Sequence, residues 1–271
     1  RVDGSILANG GGGTGYQAGS GSGGSIAIDA PVLRGTGVIG ADGGAFEVGG
    51  SGGRVHITYD ALGQSGDDLN ATLNIHAFGG HGNSAAGGAG TVLLRQRAQT
   101  LGDLYVDDNM TSATAPVWTP LLSVGYGRIA TLTDDTLTLD NGVALMPGGL
   151  VGGEINPNLA QGQTFVVIAN TDTAITVDTS GGTPLSAVAQ VGDVCSGVYA
   201  FDNVYFRRGG YLVVGDKLAV NGLLQIQEKG RLDHFPATVT WEPRLDLTVD
   251  TLTLAADSTI SGSASPSRLA T

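Results

Sequence analysis

The chain has 271 residues, 41% of them hydrophobic and 14% charged, and this apolar content excludes disorder over the whole length. The formal net charge of −12 opposes binding to nucleic acid and to anionic membrane surfaces. The single cysteine, Cys195, excludes a disulfide framework and a cysteine-based zinc site, and no apolar run approaches the ~18 residues that a membrane span needs.

Glycine occurs 46 times without the period of collagen, and a two-part pattern repeats three times in the first hundred residues. The first part is an apolar residue, a spacer, Ala, a variable residue and Gly-Gly. The second part is a Gly-rich loop that leads into alternating apolar and polar residues. Short strands of this kind bury their apolar face only when repeats stack on each other. The first parts are Ile6–Gly11, Ile39–Gly44 and Ile75–Gly80, and the second parts are Gly21–Ile28, Gly50–Ile57 and Gly87–Leu94.

Glycine becomes less frequent after residue 100, and the alternation of apolar and polar residues becomes more regular. Gly210–Leu232 and Leu245–Leu254 alternate between glycine corners in a way that suits the short faces of a parallel β-helix. Between residues 152 and 199, Phe165–Thr171 and Ala174–Val177 indicate two strands joined by a short turn. A small antiparallel module inserted into the repeats is the simplest account of this segment.

We therefore predict an all-β fold, a parallel β-helix (β-solenoid) with Gly-rich loops and a small β insertion. The predicted division is 1–150 for Gly-rich β-helix coils, 151–200 for the small antiparallel insertion, and 201–271 for further coils and a polar tail. The chain starts with Arg1 inside a strand-like pattern and ends without a stop signal, so we expect it to be a piece of a longer protein.

No catalytic motif withstands a check of its context. Gly35–Gly40 matches G-x-G-x-x-G, but Ala41–Gly44 follows it and is a poor helix start for a dinucleotide site. The motifs of polygalacturonases are present only in part, because Gly80-His81-Gly82 precedes Asn170-Thr171-Asp172 and their order is reversed. We therefore assign no catalytic residue.

Four acidic residues are candidate Ca²⁺ ligands, because they occur as neighbouring pairs of the oxygen donors that this cation prefers. They are Asp107, Asp108, Asp134 and Asp135. The alternative is that they are solvated turn residues. Calcium is the one cofactor that the sequence suggests.

Trp118 and Trp241 are candidate carbohydrate contacts, since aromatic rings stack on sugars. The alternative is that they anchor loops or cap the ends of the repeats.

The loop Gly49–Ile57 and the stretch Leu245–Gly262 resemble the Gly-rich repeat regions of giant secreted bacterial surface proteins, which are adhesin-like and expected to form β-helices. The resemblance implies export, display on the cell surface, and a role in adhesion or in extracellular fibres. Other copies of the chain, surface or matrix components, and polysaccharide are the partners it suggests.

Two hypotheses follow for the function. The first is a structural or adhesive extracellular scaffold segment, which could associate through unpaired strand edges. The second is a carbohydrate-active β-helix, either a lyase for acidic polysaccharides or a binding module. The second requires acids, a base and aromatic side chains to converge on one groove.

Overall fold

The computed structural model describes residues 1–15, 18–60, 73–111, 116–236 and 243–262. These ranges contain 22 β-strands and a short 3-10 helix, Leu185–Ala187, so the all-β prediction is confirmed. Within them, no helix has the length and apolar character that crossing a membrane requires. In chain order the strands are β1 (Ser5–Leu7), β2 (Ser25–Ala30), β3 (Val38–Gly40), β4 (Phe46–Val48), β5 (Arg54–Tyr59), β6 (Asn74–His76), β7 (Gly82–Ala85), β8 (Thr91–Gln96), β9 (Asp103–Asp107), β10 (Thr119–Pro120), β11 (Gly127–Leu132), β12 (Thr136–Leu139), β13 (Glu154–Asn156), β14 (Phe165–Asn170), β15 (Ala174–Val177), β16 (Val194–Phe201), β17 (Asn203–Arg207), β18 (Tyr211–Val214), β19 (Lys217–Ile226), β20 (Arg231–His234), β21 (Leu247–Leu254) and β22 (Thr259–Ile260).

The three N-terminal repeats stack in the register that their sequences predict. In the ladder β1–β3–β6, Ile6 lies opposite Ile39, and Ile39 lies opposite Ile75. In the ladder β2–β5–β8, Val55 lies opposite Ile26 on one side and Val92 on the other. The pairing is parallel in both ladders, and the inward-facing residues of the middle repeat are buried.

The glycine loops of these repeats pack backbone against backbone. A Cβ added to Gly50 would lie 1.9 Å from the carbonyl oxygen of Gly21, so no side chain fits there. The Gly50 amide donates to the Gly44 carbonyl at 2.9 Å, and the Gly50 carbonyl accepts from the Gly80 amide at 2.8 Å. Similar bonds join Gly21 to Gly11 and Gly87 to Gly80. We call this hydrogen-bonded series from Gly11 to Gly87 the glycine ladder.

The prediction of a parallel β-helix is wrong, because residues 127–201 form a closed barrel of six antiparallel strands. The strands follow the order β11–β12–β15–β14–β13–β16, and the pairing of β11 with β16 closes the ring. The short turn between β11 and β12 and the one between β14 and β15 leave room only for antiparallel neighbours, since parallel neighbours need a long crossover. The antiparallel pair β14–β15 agrees with the two strands that the sequence indicates at Phe165–Thr171 and Ala174–Val177. Alternation along a strand does not reveal the direction of its partner, which is why β11 and β12 were assigned to parallel coils.

A second antiparallel contact separates the N-terminal repeats from the rest of the sheet. Val92 of β8 pairs with Tyr105 of β9, across the short connection from Arg97 to Gly102. Strand direction therefore reverses at this point, which a single continuous parallel stack does not allow.

The barrel has a filled interior. The side chains of Ile129, Leu137, Ile155 and Ile175 are at most 1% exposed and pack with Phe165 in one core cluster. Its first two strands, β11 and β12, precede the range 151–200 in which a small insertion is predicted. Strand β16 continues out of the barrel and pairs in parallel with β19, so the barrel is fixed to the main sheet through its own last strand.

The C-terminal strands form two further parallel ladders, β9–β17–β19–β21 and β10–β18–β20–β22. Their inward-facing side chains make a third core cluster, in which Val106, Phe206 and Ile226 are fully buried and occupy matching positions in neighbouring strands. The barrel and these ladders meet at the turn between β18 and β19, where Asp216 contacts Val124, Gly125 and Gly197.

Candidate binding groove

Asp216 holds this junction together. Its carboxylate accepts hydrogen bonds from the Ser123 hydroxyl at 2.9 Å, from the Val124 amide at 2.9 Å and from the Gly125 amide at 2.7 Å. A Cβ on Gly197 would lie 2.2 Å from the same carboxylate, so β16 approaches it only through a glycine. Burial raises the pKa of Asp216 above the ordinary value. We interpret Asp216 as a structural clamp between the barrel and the β18–β19 turn.

A groove runs past this junction on its solvent side. It consists of two cavities of about 340 and 470 Å³, which share Leu122, Gly149 and Tyr199 in their walls. The smaller cavity lies against the barrel residues Leu150–Glu154, and the larger lies over the N-terminal repeats. We call the two together the groove.

The floor of the larger cavity comes from the same position in three stacked repeats. Gly24, Gly53 and Gly90 lie there, each just before its strand begins. A Cβ on Gly53 would lie 1.9 Å from the Gly24 carbonyl oxygen, and one on Gly90 would lie 2.0 Å from the Gly53 carbonyl oxygen. Close packing between the rows therefore keeps this floor bare of side chains.

Two aromatic residues stand in the walls. The half-buried Trp118 ring packs against Phe235 with 6.1 Å between ring centroids. The Tyr199 hydroxyl donates to the Leu122 carbonyl at 2.5 Å, which fixes the ring. Burial raises the pKa of Tyr199, the nearby Asp216 carboxylate raises it further, and the Arg54 guanidinium acts in the opposite direction. The phenol is therefore neutral and serves as a wall of the groove.

Charge in the groove is divided between its two ends. Arg54 lies over the repeats, and Glu154 lies beside the barrel. A Glu154 carboxylate oxygen accepts a hydrogen bond from the Thr164 hydroxyl at 2.9 Å. The Arg54 side chain is exposed and, within the ranges that the structure describes, makes no hydrogen bond or ion pair.

The four candidate calcium ligands lie in two different parts of the fold. Asp107, at the end of β9, pairs with Arg208 through contacts of 2.6–3.1 Å, and the adjacent Asp108 is buried against Gly79. Asp134 and Asp135 occupy the β11–β12 turn of the barrel. There Asp134 accepts a hydrogen bond from Ser186, and Asp135 accepts from the hydroxyls of Thr133 and Thr136.

Three of the four acids have partners within the protein. Arg208 compensates the charge of Asp107, and hydroxyl groups within the barrel donate to Asp134 and Asp135. Among the described residues, no group of three or more His, Cys, Asp or Glu side chains is placed to hold a metal ion. Calcium binding stays a prediction from the sequence.

One histidine forms a compact cluster away from the groove. The His76 Nδ1 atom lies 2.7 Å from an Asp42 carboxylate oxygen, which also accepts the Phe78 amide at 2.8 Å. The His76 and Phe78 rings stack at 4.5 Å, and the Arg208 guanidinium lies 5.1 Å above the Phe78 ring. These contacts join adjacent repeats, and they account for His76 without a catalytic role.

The structure places Trp118 in the groove, whereas Trp241 lies outside the described residues. Sequence reasoning missed Arg54 and Tyr199. For Arg54 a signal was available, because the repeat alignment puts Ser25 and Thr91 at the same position, and only the middle repeat has a charge there. Comparison with protein-family models, with curated proteins and with solved structures found no match to this chain.

Proposed function

We propose that this chain is a structural segment of an extracellular scaffold, joined to further β-strands through its open sheet ends. One observation carries the proposal: the apolar rows of the core continue to the last strand at both ends. Ile6 in β1 is 38% exposed, whereas its partner Ile39 is fully buried. Leu252 in β21 is 51% exposed, whereas its partner Leu224 is fully buried.

Such ends favour pairing with another strand. An edge strand offers unpaired amide and carbonyl groups, and an exposed apolar row beside them adds a hydrophobic gain on pairing. Leu254 follows Leu252 with the same orientation and is 45% exposed, so the apolar row on β21 is two residues long. In a preparation of this chain alone, the strand that covers this row would come from a second copy.

The remaining features support a mechanical role outside the cell. In the glycine ladder the backbones of neighbouring repeats pack directly against each other and form hydrogen bonds, with no side chain between them. The resemblance of the glycine loops to secreted bacterial surface proteins supports an extracellular location, and the single cysteine is compatible with it.

Sedimentation velocity over a range of protein concentrations tests the proposal. We expect the wild-type chain to associate as its concentration rises, and the double variant Leu252→Lys with Leu254→Lys to remain monomeric, because charges on an edge strand oppose pairing. Val191→Lys is the control, since Val191 is 61% exposed and belongs to none of the strands at the sheet ends.

Two results would overturn the proposal. One is a wild-type chain that stays monomeric at every concentration. The other is a Val191→Lys variant that loses association as completely as the double variant, since the contact would then not lie on β21.

A further inference from the structure

Arg54 is the one cation among the described residues that line the groove, and its side chain makes no ion pair with another described residue. Elsewhere in the described residues, Arg1, Arg97 and Arg208 each pair with an aspartate, whereas Arg95 and Arg128, like Arg54, form no ion pair with a described residue. Arg54, the first residue of β5, lines a cavity in which no described lining residue is acidic. A guanidinium presents a planar fork of donors that matches a carboxylate. Arg54 therefore offers a local site for a ligand carboxylate on a chain whose net charge is otherwise negative.

Trp118 supplies an apolar surface in the same cavity. Phe235 supports its ring from one side, and the neighbouring Thr119 is fixed by a hydrogen bond from its hydroxyl to the Ala89 carbonyl at 2.5 Å. The aromatic residue is therefore held against the third repeat. A fixed aromatic face beside polar groups suits a ring that is apolar on its face and polar at its rim, as a sugar is.

The floor formed by Gly24, Gly53 and Gly90, the glycine floor, limits which ligand shapes fit the groove. Neighbouring rows of a sheet are about 4.8 Å apart, so the floor from Gly24 to Gly90 extends for roughly 10 Å. With no side chain above the backbone, an extended chain can lie flat across the three rows. The second cavity adjoins the first at Tyr199, and Glu154 in its wall opposes a carboxylate there, so the ligand carboxylate is placed at the Arg54 end.

We propose that the groove binds a polysaccharide segment containing uronic acids. Arg54 pairs with a ring carboxylate, Trp118 packs against a sugar-ring face, and the glycine floor allows the chain to lie along the stacked repeats. The proposal is separate from association through β21, because none of the groove residues belongs to β1, β21 or β22, and Ser25 is the one groove residue named in β2.

Calorimetric titration with short oligogalacturonates tests this site. The informative variant is Arg54→Thr, because Thr91 occupies the same register position in the next repeat and shows that threonine fits the strand. We expect affinity to fall about tenfold or more, as for the loss of one charge-assisted pair. Arg97→Thr is the matched control: it removes an equal charge from an exposed position outside the groove and should leave affinity unchanged.

Three further titrations define the ligand class. Trp118→Phe should weaken binding, because the smaller ring covers less of the sugar. Neutral cello-oligosaccharides of the same length should bind about tenfold more weakly than the uronates, and polyglutamate should not bind. The proposal is overturned if no oligogalacturonate binds, if both arginine variants lose affinity equally, or if cello-oligosaccharides or polyglutamate bind as tightly as the uronates.

Discussion

Replacing Gly50 by alanine tests whether the glycine ladder depends on direct contact between backbones. The new methyl group would lie 1.9 Å from the Gly21 carbonyl oxygen and 2.5 Å from its carbon, so one of the two rows must move. Overpacking of this kind typically costs about 1–3 kcal/mol. The shift also weakens the hydrogen bonds of Gly50 with Gly44 and Gly80, each contributing about 0.5–1.5 kcal/mol.

We therefore expect Gly50→Ala to lower the free energy of unfolding by about 3 kcal/mol, a large share of the ~5–15 kcal/mol typical of a folded domain. Urea denaturation followed by circular dichroism measures this loss. Gly11→Ala is the control, because a Cβ at Gly11 meets no atom within 4 Å although the residue belongs to the same ladder. It should change stability by less than about 0.5 kcal/mol. Equal losses in the two variants would refute backbone contact as the reason for glycine.

Two other predictions concern the barrel and its junction. Cys195 is fully buried in the barrel core, and burial raises its pKa. An aromatic disulfide reagent should therefore label it only at the rate at which the barrel opens. Rapid labelling of the native chain would contradict the closed barrel. Burial raises the folded-state pKa of Asp216 above the unfolded value of about 3.9, so the native state holds this proton to higher pH. The free energy of unfolding of the wild type should therefore fall as pH rises through the window between the two pKa values. The Asp216→Asn variant should not show this pH dependence. A stability difference between wild type and variant that stays constant across that window would contradict the assignment.

The repeats could be predicted from sequence because each feature that defines them is local. Ile6, Ile39 and Ile75 occupy the same place in a short motif, and stacking brings them into direct register. The glycine loops also follow from sequence, although only the structure shows that a Cβ would collide with a neighbouring row.

The barrel could not be predicted, because its strands alternate in the same way as the strands of a parallel stack. Leu137 and Leu139 fit either arrangement, and the decisive fact is that β12 pairs with β11 and β15 in antiparallel fashion. The closing contact between β11 and β16 joins Gly127 to Cys195, which are far apart in the chain. No local pattern encodes that pairing.

Of the groove residues, the sequence singles out only Trp118, as a candidate carbohydrate contact. Its other residues come from the second repeat, the barrel and β16, and their proximity depends on the position of the junction at Asp216. Asp107 illustrates a contact that only the fold reveals: the sequence shows a candidate cation ligand, and the structure places the Arg208 guanidinium beside it.

The antiparallel contact between β8 and β9 gives the main sheet a polarity that affects assembly. Strands β2, β5 and β8 run in one direction, and β9, β17, β19 and β21 run in the other. The outermost strands β2 and β21 therefore point in opposite directions. If copies related by translation joined β21 to β2, each joint would be an antiparallel ladder, and a filament would alternate between parallel blocks and antiparallel seams along its axis.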